Sequence, residues 1–261
     1  MAKLRETSPS SGTSPCYSVI GIYGVAGSGK TTFARYTRDY IEEECKEEKL
    51  FDTTMCIHVS ETFSVHDIFH EMLKDITGDR HSNISDREEL EEKLKEALRG
   101  KRFLLILDDL WVNTKNDPQL EELISPLNVG MKGSKILVTA RTKVATRALC
   151  DDEPTEMPDL DEDLYFLMFM HYALGDTSVA DEEEFIRVGR VIAEKLHQPP
   201  IAAVAVAGRL GTNPDIKFWK NTANHGMLNG TMEALWWSYQ PLNPDIRRCF
   251  EFCNIFPEDR S

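Results

Sequence analysis

Short apolar runs alternate with longer amphipathic stretches over the first 150 residues of the chain. Four apolar runs are continuous and rich in β-branched residues, and they lie at 17–24, 53–60, 102–109 and 134–140. Because apolar and polar residues do not alternate within them, these runs are typical of strands covered on both faces of a parallel sheet. The amphipathic stretches predict helices near 30–45, 64–77, 86–99, 118–125 and 142–149. Strands that alternate with helices predict an α/β fold with a doubly wound parallel sheet.

The predicted helix over 86–99 has the clearest boundaries. Ser85 is its expected N-cap, and Glu88 three residues later completes a capping box. Gly100 follows the last apolar position and ends the helix. These signals separate the helix from the apolar run that begins at 102.

After residue 150 the pattern changes. The acidic, proline-containing stretch "DDEPTEMPDLDED" is a connector, and strand signals nearly vanish beyond it. Helical patterns follow near 161–174, 181–197, 200–211, 214–223, 231–239 and 243–253. We therefore divide the chain into four segments, which are a disordered leader over 1–16, an α/β domain over 17–157, a small all-helical subdomain over 158–228 and the start of a further subdomain over 229–261. The last residue follows directly on "FPEDR", and we interpret the chain as truncated there.

Composition and charge narrow the function classes. The 261 residues are 41% hydrophobic, and 44 acidic against 30 basic residues give a formal net charge of −14. This balance counts against nucleic acid as a partner. No apolar run reaches the roughly 20 residues that span a bilayer, and the N-terminus lacks the apolar region of a signal peptide. With six scattered cysteines, expected to be reduced thiols, these features favour a cytoplasmic protein.

The glycine-rich turn after the first apolar run fits the phosphate-loop pattern G-x-x-x-x-G-K-[ST]. Its residues are Gly24, Val25, Ala26, Gly27, Ser28, Gly29, Lys30 and Thr31. Glycines allow backbone N–H groups to surround phosphate oxygens, and the following helix directs its positive dipole end at them. Lys30 is expected to reach the β- and γ-phosphates, Thr31 to bind Mg²⁺, and Thr32 to contact the α-phosphate. The flanking strand and helix argue against a turn without function.

Two later strand ends carry further candidate residues. The run "FLLILDD" ends in Asp108 and Asp109, which a parallel sheet places beside the loop. We expect Asp108 to hold Mg²⁺ and Asp109 to position or deprotonate an attacking water, although an acidic turn facing solvent is the alternative for Asp109. Arg141 follows the run "SKILVTA" and can contact a γ-phosphate. The residues alone leave a surface arginine at the strand exit equally open.

Taken in order, these blocks resemble the NB-ARC nucleotide-binding module of plant NLR immune receptors, which belongs to the STAND class of P-loop ATPases. The matching stretches are "GVAGSGKTT", "FDTTMCIHVSETF", "KRFLLILDDLW", "GSKILVTART", "LHQPPIAAVAVAGRL" and "CFEFCNIFPEDR". They cover residues 20–260, and the order and spacing of six blocks is far more specific than the phosphate loop alone.

The resemblance implies roles that spacing does not show. Arg141 becomes the γ-phosphate sensor, and Pro200 becomes the proline against the adenine. A helix-start proline is the alternative for Pro200. The segment 158–228 becomes an ARC1-like helical subdomain, and 229–261 becomes the truncated start of the ARC2 winged-helix subdomain. The chain departs from the family where residues 198–201 read "QPPI" in place of Gly-Leu-Pro-Leu, and where Cys56 replaces a common tryptophan.

The function that the resemblance implies is an adenine-nucleotide switch in plant defence. It would bind ADP or ATP with Mg²⁺ and hydrolyse ATP slowly, as a weak ATPase. The full-length receptor would add an N-terminal signalling domain and C-terminal leucine-rich repeats, and its family members can form nucleotide-dependent homo-oligomers. The alternative is an ordinary P-loop enzyme, an ATPase or nucleotide phosphatase with significant turnover, which the same residues would serve.

Overall fold

The computed structural model describes residues 2–5, 15–43, 48–59, 61–78, 84–112, 117–150, 152–175, 177–179, 181–196, 199–224, 226–228 and 230–253. The chain divides into two compact units. The first comprises Met1–Gly24 and Lys30–Met157, and the second comprises Val25–Gly29 and Pro158–Ser261. Of the segment 229–261, predicted as the beginning of a winged-helix subdomain, residues 230–253 are described, and the assignment to that subdomain stays a prediction.

The described part of the first unit contains a five-stranded parallel sheet. Its strands are β1 (Tyr17–Tyr23), β2 (Thr53–His58), β3 (Phe103–Asp108), β4 (Ser134–Ala140) and β5 (Thr155–Glu156). They lie in the order β2-β3-β4-β1-β5, and all four pairings are parallel. The first four confirm the predicted strands and the α/β fold class. The two-residue β5 was missed, because its exposed residues lie in the acidic connector and carry no apolar signal.

The helices around this sheet explain why its strands are apolar on both faces. They are α1 (Ala2–Arg5), α2 (Lys30–Glu43), α3 (Val65–Thr77), α4 (Arg87–Leu98), α5 (Pro118–Ile124) and α6 (Lys143–Arg147). Every residue of β3 is buried. Leu105 and Leu107 join the core formed with α3 and α4, whereas Leu104 and Ile106 join the core formed with α2. The strand is therefore covered from both sides, as the continuous apolar run predicts.

The structure differs from the sequence analysis in the leader and at the start of α4. The leader was expected to be disordered, but α1 is helical and Leu4 is buried against the core on the α2 side of the sheet. Residues 6–14 lie outside the described residues. The N-cap of α4 is Asp86 and not Ser85, because the Asp86 carboxylate accepts the N–H of Glu88 at 2.9 Å. The capping box was therefore placed one residue too early.

The described α-helices of the second unit all follow Pro158. They are α7 (Glu162–Leu174), α8 (Glu182–Leu196), α9 (Pro200–Gly211), α10 (Ile216–Ala223), α11 (Thr231–Tyr239) and α12 (Pro244–Cys253). Their core centres on Trp219, whose ring lies edge-on to Phe185 with ring centroids 4.9 Å apart. Ala234 and Trp237 of α11 join the same core, although the sequence analysis placed 229–261 in a separate segment. Within the described residues of both units, no helix is long and apolar enough to cross a membrane.

Candidate nucleotide-binding site

The glycine-rich loop connects the carboxyl end of β1 to the first turn of α2. The N–H of Gly24 still donates to the carbonyl of Ala140 on β4, at 3.2 Å, so the loop leaves the sheet directly after this bond. Gly27 and Gly29 have φ angles of 75° and 95°, in the left-handed region that residues with a side chain rarely adopt. Two of the loop glycines are therefore required by the backbone path itself.

Gly27 also has no room for a side chain. A Cβ atom at this position would lie 2.3 Å from Cγ2 of Ile201, which belongs to the same unit. The N–H of Ile201 donates to the carbonyl of Gly27 at 3.3 Å. Pro200 is the first residue of α9 and directly precedes Ile201, the residue that contacts the loop. The role of Pro200 toward the adenine stays a prediction.

Gly21 precedes the loop and lies inside β1. A Cβ atom there would lie 2.6 Å from the Sγ of Cys150, and 3.0 and 3.1 Å from the Cβ atoms of Pro154 and Thr146. Its role is close packing against the segment that follows β4, and it has no part in the loop.

The Ser28 hydroxyl oxygen and the Lys30 side chain are buried. Ser28 Oγ has no hydrogen-bond partner among the described residues. Lys30 is 7% exposed, and its ammonium donates to the carbonyl of Gly24 at 2.8 Å. Burial lowers the pKa of Lys30 below its ordinary value; the Asp109 carboxylate opposes this shift, and Arg141 adds to it. A buried ammonium at the start of α2 suits an anionic ligand.

Asp108 lies at the carboxyl end of β3 and is 5% exposed. The hydroxyl of Thr139 on β4 donates to Asp108 Oδ1 at 2.5 Å and accepts the N–H of Asp109 at 2.9 Å. His58 approaches the other carboxylate oxygen of Asp108 from β2, with Nδ1 3.7 Å from Oδ2. The Asp108 carboxylate is therefore fixed in orientation by Thr139. The sequence analysis gave Thr139 no role, although a hydroxyl in an otherwise apolar run was a visible signal.

Asp109 is held more firmly than the sequence analysis expected. Its φ angle is 58°, in the left-handed region, which is uncommon for a residue with a side chain. Its Oδ2 accepts from Arg141 Nη2 and from Trp111 Nε1, each at 3.2 Å. The expected alternative for Asp109, an acid turned only to solvent, does not describe this geometry. The role of Asp109 toward a water molecule stays a prediction.

Thr31 and Thr32 lie in the first turn of α2 and are exposed. Thr31 can therefore present its hydroxyl to a ligand of the loop. The described residues contain no cluster of three or more His, Cys, Asp or Glu side chains that could hold a metal. The pair of one hydroxyl and one carboxylate, from Thr31 and Asp108, instead suits Mg²⁺, which is commonly bound by few protein groups together with phosphate oxygens and water.

We expect Gly27→Ala to weaken nucleotide binding by about tenfold or more and to lower the melting temperature, because the new Cβ meets both an unfavourable φ and Ile201. Calorimetric titration with ADP and thermal melting measure the two effects.

Gly208→Ala is the matched control, since Gly208 lies inside α9 with no atom within 4 Å of an added Cβ. It should stabilise the protein by about 0.5–1 kcal/mol and leave binding unchanged. Normal binding and melting in Gly27→Ala would show that the loop tolerates a side chain.

A parallel sheet with a glycine-rich loop after its first strand and a carboxylate at the carboxyl end of another strand defines a P-loop nucleotide-binding protein. The sequence profile of the NB-ARC domain matches residues 4–178. The chain belongs to the NB-ARC family.

Curated relatives include the disease resistance protein RGA2 of Solanum bulbocastanum, with 29% identity over 248 residues. Another is RPP13-like protein 1 of Arabidopsis thaliana, also named as a disease resistance protein, with 28% identity over 263 residues. The matches cover 93% and 98% of this chain but 25% and 24% of those proteins. The chain thus spans about a quarter of the length of these relatives.

Solved structures support the fold. The Drosophila origin recognition complex bound to DNA matches with a TM-score of 0.55 and 15% identity, over 82% of this chain and 56% of that chain. The ORC1 protein of Aeropyrum pernix in complex with DNA matches with a TM-score of 0.54 and 12% identity, over 92% and 63%. At these identities the likeness concerns the fold alone.

Proposed function

We propose that this chain is the adenine-nucleotide switch module of an intracellular plant immune receptor. It binds ADP or ATP with Mg²⁺ and hydrolyses ATP slowly. The observation that carries the proposal is the loop itself, where two left-handed glycines lead into α2 and Lys30 is buried beside them. The NB-ARC match and the disease resistance relatives support the assignment to plant defence.

The residues of the chain suggest how each state is held. Backbone N–H groups of residues 27–31, with Lys30, bind and orient the phosphates, while Thr31 and Asp108 hold the metal. Mg²⁺, when bound, would neutralise phosphate charge. Thr139 keeps the Asp108 carboxylate in one orientation. Pro200 contacts the base, as the resemblance implies.

Switching requires that the γ-phosphate favour one arrangement of the receptor, because a ligand with equal affinity for two states shifts neither. Arg141 supplies a group that can make this distinction, since its guanidinium is paired with Asp109 and is still 46% exposed. In the full-length receptor we expect N-terminal signalling and C-terminal leucine-rich-repeat partners and nucleotide-dependent self-association in the cytoplasm. These expectations follow the family.

The nucleotide extracted from purified protein tests the proposal. We expect ADP or ATP, identified by chromatography, and steady-state ATP hydrolysis well below roughly 1 s⁻¹, the lower end of ordinary enzyme turnover. A kcat above that value would favour the alternative of an ordinary ATPase or nucleotide phosphatase. If the purified protein held no adenine nucleotide and bound neither ADP nor ATP on titration, both the switch and the ordinary P-loop enzyme would be contradicted.

Asp109→Ala should slow ATP hydrolysis by roughly 10- to 100-fold while nucleotide binding stays within about threefold of the unmodified chain. The reason is that a carboxylate acting on water is needed in the reaction and not in binding. Single-turnover hydrolysis and calorimetric titration measure the two quantities. Normal hydrolysis by this variant would remove Asp109 from the reaction and leave it as the partner of Arg141.

A further inference from the structure

Trp111 has a position that core packing does not explain. The chain leaves β3 after Asp108, and the neighbours Leu110 and Val112 are both buried in the core on the α3 side of the sheet. Among the described residues of that core, Trp111 between them is not a member. Its ring instead contacts Asp109 and Arg141 at the candidate site.

The ring supports the guanidinium of Arg141. Arg141 Cζ lies 4.1 Å from the centroid of the Trp111 ring, well within the distance of a cation–π contact. The indole N–H of Trp111 donates to Asp109 Oδ2 at 3.2 Å. Arg141 Nη2 donates to the same oxygen, also at 3.2 Å. Trp111, Asp109 and Arg141 thus form a closed set of three contacts, which we call the arginine clasp.

The clasp gives Arg141 two supports of different character. The first support is the ion pair with Asp109. Another anion can compete with Asp109 for the guanidinium, because a guanidinium binds carboxylate and phosphate with the same N–H donors. The contact with the Trp111 ring is a cation–π contact and uses none of these N–H donors. A guanidinium that exchanged Asp109 for a phosphate oxygen could therefore stay on the indole.

The surroundings also fix the charge balance. Asp109, Arg141 and Asp108 all lie close enough to Lys30 for their charges to act on its pKa. Asp108 is engaged by Thr139, so Asp109 is the carboxylate that holds Arg141. Asp109 reaches this position through its left-handed backbone, which the N–H bond to Thr139 maintains.

We propose that Trp111 is the positioning residue that holds Arg141 for recognition of a γ-phosphate, and that it thereby sets the preference of the site for a nucleoside triphosphate over a diphosphate. This inference rests on the proposed function, in which Arg141 contacts the γ-phosphate. Trp111 itself contacts no phosphate. Its effect is confined to the ligand that carries the third phosphate.

The test compares dissociation constants of ADP and of a non-hydrolysable ATP analogue, measured by calorimetry with Mg²⁺ on the whole chain. Trp111→Leu removes the ring and the N–H, and it should lower the triphosphate-to-diphosphate affinity ratio by about 3- to 10-fold with ADP binding unchanged. Trp111→Phe keeps a ring face and should retain most of the ratio. Trp111→Met replaces the leucine variant if that variant melts early.

A double-mutant cycle with Arg141→Gln separates positioning from general damage. If Trp111 acts through Arg141, the two substitutions together should lower the ratio no further than Arg141→Gln alone. An unchanged ratio in Trp111→Leu, or full additivity in the double variant, would overturn the inference and leave the proposed function intact. Failure of the unmodified chain to bind either nucleotide would overturn the proposed function and the inference together.

Discussion

Lys30→Ala should reduce nucleotide affinity by at least about 100-fold, which corresponds to roughly 3 kcal/mol of binding free energy. The lysine is the cation of the loop, and its buried ammonium donates to the loop carbonyl of Gly24. Its loss leaves the phosphates without their charged donor. Calorimetric titration with ADP and ATP measures the effect.

The fold should survive this change. Because burial lowers the pKa of Lys30, its charged form is disfavoured in the folded protein, and removing the charge relieves that desolvation. Lys30→Met, which keeps the length of the side chain, should lose binding to a similar extent and melt at or above the temperature of the unmodified chain. Lys132→Ala, at an exposed turn, is the control and should bind normally. Unchanged affinity in Lys30→Ala would refute the assignment of the loop.

Asp108→Asn should abolish the dependence of nucleotide binding on Mg²⁺ and slow ATP hydrolysis by about 100-fold or more. An asparagine oxygen can still accept from the Thr139 hydroxyl, so the geometry of the strand end is kept while the charge that holds the metal is lost. ADP binding in the presence of EDTA should change little. Titrations with and without Mg²⁺, and single-turnover hydrolysis, give these quantities.

The control for Asp108 is Asp39→Asn, which removes a carboxylate from the exposed face of α2, where it pairs with Arg38. It should leave both the Mg²⁺ dependence and the hydrolysis rate unchanged. If Asp108→Asn retained full Mg²⁺ dependence, the metal would have to be held by other groups, and the pairing of Thr31 with Asp108 would be wrong.

The strands were predictable because each of the first four is covered on both faces. A strand such as β3, with Leu104 and Leu105 facing two different cores, must be apolar throughout, and a continuous apolar run is visible in the sequence. The two exposed residues of β5 have no such requirement. They pair with β1 because the folded chain brings the connector alongside the edge of the sheet. The sequence of the connector itself does not show this.

The candidate site was predictable only in its local parts. The loop has a spacing that backbone geometry imposes, so Gly27, Gly29 and Lys30 are visible in the sequence. The contacts of Asp109 with Arg141 and Trp111 join residues that are 32 and 2 positions away, and they depend on the left-handed backbone at Asp109. No sequence pattern encodes that backbone. Sequence reasoning therefore found Asp109 and Arg141 separately and missed that they are paired.

The central claim is that residues 24–31 bind the phosphates of an adenine nucleotide. A crystal structure of the chain with ADP and Mg²⁺ tests it most directly. We predict that the β-phosphate lies against the N–H groups of residues 27–31, within hydrogen-bond distance of the Lys30 ammonium, with the metal beside Thr31. A diphosphate bound at another surface, with this loop free of ligand, would contradict the account.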